Sequence, residues 1–122
     1  EFQFEVPTPE LKLNADRTQI EQILINLLKN AREACSRKSD KKIQVKARKL
    51  SAGNTTLTIS DNGEGILPDV LDKIFVPFFT TKTSGSGIGL SLCKQIMTLH
   101  EGSINVKSEV GKGSSFILTF PK

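Results

Sequence analysis

Two pairs of short alternating segments constrain this chain more than anything else in it. Ile43 to Lys49 and Thr55 to Asp61 each alternate apolar with polar residues across Ser51-Ala52-Gly53-Asn54, and Ile104 to Ser108 and Ser114 to Phe120 repeat the pattern around Gly111-Lys112-Gly113. Period-two alternation turns one face of a strand to a core and the other to water, and short glycine-bearing connections make such pairs antiparallel hairpins. A sheet with one apolar face needs a cover. Helical periodicity supplies it: Asp16 reads as an N-cap with Gln19 three residues on, a capping-box arrangement that starts a helix running to about Arg37. Ile20, Ile23, Leu24, Leu27, Ala31 and Cys35 form its apolar arc. Pro68 fits the first turn of a short helix ending near Ile74, and residues 75–87 read as loop. Ile88, Leu92, Ile96 and Leu99 recur at helical spacing up to His100, where Glu101-Gly102 stops the helix. Residues 2–6 and 11–14 read as extended pieces broken by Pro7 and Pro9. The expected fold is α+β, a single domain over residues 1–122 with helices on one face of a mixed, mostly antiparallel sheet.

Composition narrows the function classes. At 37% apolar and 25% charged residues over 122 positions the chain has the make-up of one folded domain. It holds no apolar run of membrane-spanning length and no charged-then-apolar leader, so no membrane contact is expected of this domain. Cys35 and Cys93 lie too far apart for a CxxC site and fall in helical patterns, which reads as reduced, buried thiols in a cytoplasmic setting. Asn54-Thr55-Thr56 matches a glycosylation sequon with nothing else to support secretion. The net charge of +4 is local, since Arg37, Lys38, Lys41, Lys42, Lys46, Arg48 and Lys49 hold seven of the 17 basic residues. No Trp or Tyr is present to stack bases, and nucleic-acid binding is not expected.

Chemistry concentrates in three places. Asn26 and Asn30 stack four apart on the margin of the apolar arc, either as oxygen donors to a hard cation such as Mg²⁺ or as amides bonded to each other or to a loop. Asp61 ends an apolar strand before Asn62-Gly63-Glu64-Gly65, as an acceptor for an exocyclic amine or as the start of an Asx-turn. Gly85, Gly87 and Gly89 feed a helix N-terminus, an anion-binding arrangement that matches neither the dinucleotide fingerprint nor a Walker A loop.

Taken in order, Asn26-Leu27-Leu28-Lys29-Asn30-Ala31 resembles an N box, Asp61-Asn62-Gly63-Glu64-Gly65 a G1 box, Phe75-Val76-Pro77-Phe78-Phe79 an F box and Gly85-Ser86-Gly87-Ile88-Gly89-Leu90 a G2 box. These are the motifs of the catalytic and ATP-binding domain of bacterial sensor histidine kinases, with a Bergerat-type two-layer α/β sandwich, and the likeness covers nearly the whole chain. Asn-Ala-Arg-Glu-Ala and Phe-Phe-Thr-Thr-Lys resemble most the nitrogen-regulation type.

The resemblance implies that Asn30 coordinates Mg²⁺ on the ATP phosphates, with Asn26 in support. It implies that Asp61 accepts from the adenine amino group, that Gly63 and Gly65 let the loop pass near the base, and that Ile66, Ile88 and Leu90 line the nucleotide pocket. Gly85, Gly87 and Gly89 would offer N–H groups to the phosphates, residues 80–84 would form a short lid whose Lys82 meets the γ-phosphate, and Ser114 would lie near adenine. Phe75, Phe78 and Phe79 would anchor the lid or dock the partner helix.

Two positions depart from related ATPases. Asn26 stands where chaperone, gyrase and mismatch-repair relatives carry a general-base Glu, which implies slow hydrolysis. Glu33 stands where some histidine kinases carry a base, leaving Lys82 or Arg32 to compensate, or a modest affinity. His100 lies at a helix end just before Glu101-Gly102 and reads as a capping or surface residue. The phosphoacceptor histidine is therefore expected on a dimerisation domain N-terminal to Glu1, in a homodimeric protein that addresses a response regulator from the cytoplasmic side or from an inner-membrane anchor, with the isolated domain monomeric. A serine kinase of the anti-sigma type and a non-catalytic docking module are the alternative readings.

Overall fold

The computed structural model describes residues 2–5, 15–79 and 89–121. Strand β1 (Phe2–Glu5) precedes helix α1 (Arg17–Ala34), and β2 (Ile43–Lys49) and β3 (Thr55–Asp61) follow. A one-turn helix α2 (Pro68–Leu71), helix α3 (Gly89–Leu99), and strands β4 (Ser103–Glu109) and β5 (Gly113–Phe120) complete the order. The sheet runs β1-β2-β3-β5-β4, with β1 parallel to β2 and every other pair antiparallel. This is the expected α+β sandwich.

Register explains the two layers. Leu57 opposes Leu118 and Ile59 opposes Phe116 across β3 and β5, so their side chains share the face covered by α1 and α3. Thr56, Thr58 and Ser60 stand on the opposite face, with Thr119, Ile117 and Ser115 across from them. Ile23, Leu27, Ile59, Met97 and Leu118 are almost wholly removed from water, and each contributes about 1.5–3 kcal/mol of burial free energy. The non-consecutive pairing of β3 with β5 positions the chemistry as well as the core, because it sets Asp61, at the end of the central strand, directly beside Ser114 at the start of β5.

Helix α1 starts at the expected Asp16 cap and α3 stops at the expected Glu101-Gly102, each through bonds that the sequence does not show. The Asp16 carboxylate accepts from Gln19 N–H at 3.0 Å, which is half a capping box. The other half is replaced, because the Asp16 N–H is donated to His100 Nε2 at 3.0 Å while His100 Nδ1 lies 2.9 Å from the Ile96 carbonyl. With Nε2 accepting, the imidazole is the Nδ1–H tautomer, donating to Ile96. Helix α1 ends at Ala34 and not near Arg37, since the Ala34 carbonyl accepts from Glu64 N–H at 3.2 Å and Lys38 N–H turns to Cys35 at 2.9 Å. At the end of α3 the left-handed residue is Glu101, with φ of 59°, and Gly102 N–H reaches back to the Met97 carbonyl at 2.8 Å, the six-to-one bond of a Schellman stop. The extended piece expected at 11–14 lies outside the described residues.

Candidate nucleotide site

Asp61 is hydrogen-bonded through its backbone into the middle of the sheet, opposite Ile43 on one side and Ser114 on the other. Its carboxylate turns back on its own loop, accepting the Gly63 N–H at 2.8 Å. The Asx-turn foreseen as an alternative is thus present, and it leaves a half-buried carboxylate held in one orientation. Burial pushes the Asp61 pKa above the usual carboxylate value, against the pull of the Gly63 and Ser114 backbone N–H groups.

The loop after Asp61 threads between two backbones. A Cβ on Gly63 would lie 2.5 Å from the Ala34 carbonyl, and one on Gly65 would lie 2.4 Å from the Glu109 carbonyl. These glycines permit contact with the end of α1 and with the β4–β5 turn. Glu64 bonds both sides, donating to Ala34 and accepting from Gly111 N–H at 2.9 Å. Asn62, which sequence reasoning passed over, staples the loop to the connection after α1. It accepts from Lys42 N–H at 2.9 Å and donates from Nδ2 to the Asp40 carbonyl at 2.8 Å. Ser114 is buried and shares a 2.8 Å hydroxyl contact with Ser108. Asp61, Ser108, Gly113, Ser114 and Ser115 line one shallow depression of about 320 Å³ together with Lys107, Glu109 and Lys112.

Helix α1 brings the Asn26 amide to the start of α3. Asn26 Nδ2 faces the Gly89 carbonyl at 3.4 Å and Cys93 Sγ at 3.8 Å, and its Oδ1 lies 3.4 Å from Gln22 Nε2. Asn30 follows one turn later, half-buried. Leu90 and Ile66 pack against the core. Lys82, Gly85, Gly87 and Ile88 lie outside the described residues. Of the aromatic motif, Phe75 packs against the core with Lys94 Nζ 5.7 Å from its ring centre, whereas Phe78 is 78% exposed and holds a φ of 67°.

The two thiols are chemically quiet. Cys93 is pushed up to about 11 by burial, opposed by the Asn26 contact, and Cys35 is raised by burial and by the Asp61 charge. In the native domain Cys93 is expected to react with an aromatic disulfide about a hundredfold more slowly than a free thiol, and both thiols should react promptly once urea unfolds the chain. Stopped-flow labelling with and without denaturant checks this; fast native labelling would contradict the burial.

The fold, with a carboxylate fixed at a strand end and the Asn26 amide at the start of α3, is that of an ATPase-type domain. The chain belongs to the family described as "Histidine kinase-, DNA gyrase B-, and HSP90-like ATPase", which it matches over residues 15–122. Within that family it is the ATP-binding catalytic domain of the sensor histidine kinases. "Sensor histidine kinase ZraS" of Salmonella typhimurium is 40% identical over 110 residues, which are 90% of this chain and 23% of that protein. The nucleotide-free catalytic domain of histidine kinase ThkA superposes with a TM-score of 0.87 at 36% identity, covering 100% of this chain and 80% of that one. ThkA in complex with response regulator protein TrrA gives a TM-score of 0.79 at 33% identity, covering 100% of this chain and 34% of that one. The chain spans about a quarter of the length of the ZraS relative. No described helix is long and apolar enough to cross a membrane.

Proposed function

We propose that this domain binds Mg-ATP and presents the γ-phosphoryl group to a histidine on a separate dimerisation domain, within a homodimeric protein that passes the group to a response regulator. The observation that carries this reading is the Asp61 carboxylate, half-buried, oriented by the Gly63 N–H at 2.8 Å, and set beside Ser114. Its accepting oxygens suit the exocyclic amine of adenine. In the transfer an imidazole nitrogen bonds to the γ-phosphorus as the bond to the bridging oxygen breaks, ADP leaves with that electron pair, and the imidazole sheds its proton. The protein's part is orientation and charge neutralisation.

An amide oxygen is a donor that suits Mg²⁺, which takes oxygen ligands. Among the described residues no three His, Cys, Asp or Glu side chains form a metal cluster, so a cation here depends on an amide oxygen together with ligand phosphates and water. Asn30 would supply that oxygen, and the ion would neutralise phosphate charge. Asn26 holds α1 against α3 through Gly89 and Cys93 and has no basic group to activate water, which supports slow hydrolysis. Lys82 is assigned the γ-phosphate and Gly85, Gly87 and Gly89 the other phosphate oxygens, with Ile66, Ile88 and Leu90 about the base. Asn-Ala-Arg-Glu-Ala and Phe-Phe-Thr-Thr-Lys support a nitrogen-regulation-like subtype. Residues 1–122 act as one domain on the cytoplasmic side.

Calorimetric titration of Mg-ADP and a non-hydrolysable ATP analogue tests the reading. Asn30→Ala is expected to weaken binding about tenfold, the size of one lost hydrogen-bonding or ligating group, and to erase most of the difference between Mg²⁺ and EDTA. Absence of heat and of any thermal shift at millimolar nucleotide would dispose of it.

A further inference from the structure

The bonds around Asn62 show an amide side chain taking the place of a peptide carbonyl. Past the last register pair of β2 with β3, Ile43 with Asp61, the next residues to face each other are Lys42 and Asn62. In an antiparallel ladder such a pair closes a ring by exchanging two main-chain bonds. The first is present, from Asn62 N–H to the Lys42 carbonyl at 3.1 Å. The second is diverted, because Lys42 N–H donates at 2.9 Å to Asn62 Oδ1, a side-chain oxygen that also faces Cys35 Sγ at 3.5 Å. A carbonyl oxygen has two lone pairs and takes both donors. Asn62 Nδ2 donates to the Asp40 carbonyl at 2.8 Å, which fixes the plane of the amide. With its side chain completing the ring, Asn62 leaves the ladder through a peptide that need not lie in the sheet. The next N–H, that of Gly63, reaches Asp61 Oδ1 at 2.8 Å.

We propose that Asn62 is a positioning residue for base recognition: its side chain stands in for its own main-chain carbonyl opposite Lys42, and so lets the Asn62–Gly63 peptide turn its N–H onto the Asp61 carboxylate. This rests on the nucleotide-binding reading. Without the side-chain oxygen, Lys42 N–H takes the main-chain carbonyl of residue 62 and the ladder gains one regular pair. The Gly63 N–H then rotates away from Asp61. The fold survives, and the carboxylate loses the bond that orients it.

The test is amide hydrogen exchange followed by NMR without nucleotide, together with titration of Mg-ADP, on wild type, Asn62→Ala and Asn62→Asp, with thermal unfolding of each. Asn62→Ala is expected to keep the Lys42 amide protected while Gly63 exchanges about tenfold faster, to weaken Mg-ADP about tenfold, and to lower Tm by only a few degrees. Asn62→Asp, which keeps the acceptor for Lys42, is expected to keep Gly63 protected. A Gly63 amide that stays protected in Asn62→Ala, or an unchanged Mg-ADP affinity, overturns the proposal and leaves the turn at Asp61 self-sufficient. Loss of protection at Lys42 and Gly63 together overturns it too, since Asn62 is then only a staple between the loop and the connection after α1. Should Asn62→Ala fail to melt cooperatively, Asn62→Asp decides: protection at Gly63 upholds the proposal and its loss overturns it. A wild type that binds no Mg-ADP removes the nucleotide reading and the recognition role with it, a failure that the exchange data keep apart from failure of the turn.

Discussion

Asp61→Asn is expected to reduce Mg-ADP affinity by about a hundredfold or more while leaving the domain as stable as before, or more stable. The loss follows from donor and acceptor arithmetic. The carboxylate accepts Gly63 N–H through Oδ1 at 2.8 Å, and an Asn that keeps this bond must turn its NH₂ group toward the amino group of the base. Two donors then face each other, and a hydrogen bond to a charged group worth about 1.5–3 kcal/mol is replaced by repulsion. Stability moves the other way because burial raises the Asp61 pKa. When the folded pKa lies above the unfolded one, folding favours the protonated form, and this group's contribution falls as pH rises through the folded value. At neutral pH the ionised carboxylate therefore costs stability that a neutral amide does not. The variant's advantage in Tm should fade as the pH is lowered and wild-type Asp61 takes up its proton. Calorimetric scans across pH, alongside the titration, check both halves; an Asp61→Asn domain that melts lower at neutral pH would show that the charge supports the fold.

The second large effect separates two glycines in one turn. Gly113 has φ of 129°, and a Cβ there would lie 2.0 Å from the Asp61 carbonyl and 2.9 Å from Asn62 Cα. Both obstacles are backbone atoms, at the end of the central strand and just after it, so neither can swing aside. Gly113→Ala is expected to cost about 3–5 kcal/mol, combining left-handed strain with overpacking, and to displace Asp61 with it. Gly111 has φ of 85° but nothing within 4 Å of its missing Cβ. Gly111→Ala should cost only about 1 kcal/mol, the conformational term alone. Urea unfolding of the two variants gives the comparison, and equal destabilisation would mean that the contact with Asp61 is softer than the geometry states.

How much of this was legible in the sequence depends on range. Strands Ile43–Lys49 and Thr55–Asp61 match the alternating segments at both ends, because period-two patterning is local and the turn between them is short. The four motifs were visible for the same reason, each being a run of adjacent residues. The capping partner of Asp16 was not, since His100 lies 84 positions away. Asn62 and Ser108 were passed over because neither is chemically conspicuous; each acts through bonds to residues 20 to 42 positions distant. The glycines of the loop were read as making room for a ligand, whereas the crowding visible around Gly63 and Gly65 comes from the chain's own carbonyls. The pairing of β3 with β5, which brings Asp61 to Ser114, has no signature in either strand.

The pairing of α1 with α3 has a metrical consequence. His100 ties the end of α3 to the cap of α1 at Asp16, and Asn26 meets the start of α3 at Gly89. From Asp16 to Asn26 an ideal helix advances about 15 Å, and from His100 back to Gly89 about 16 Å. The two antiparallel rods are thus cut to matching lengths and fastened at both ends, like the rails of a ladder. A residue inserted in or deleted from either rail would turn its far end by about 100° and unfasten one rung. The spacing between Asn26 on α1 and the entry to α3 is therefore gauged by counting residues, and His100 is the peg from which the count begins.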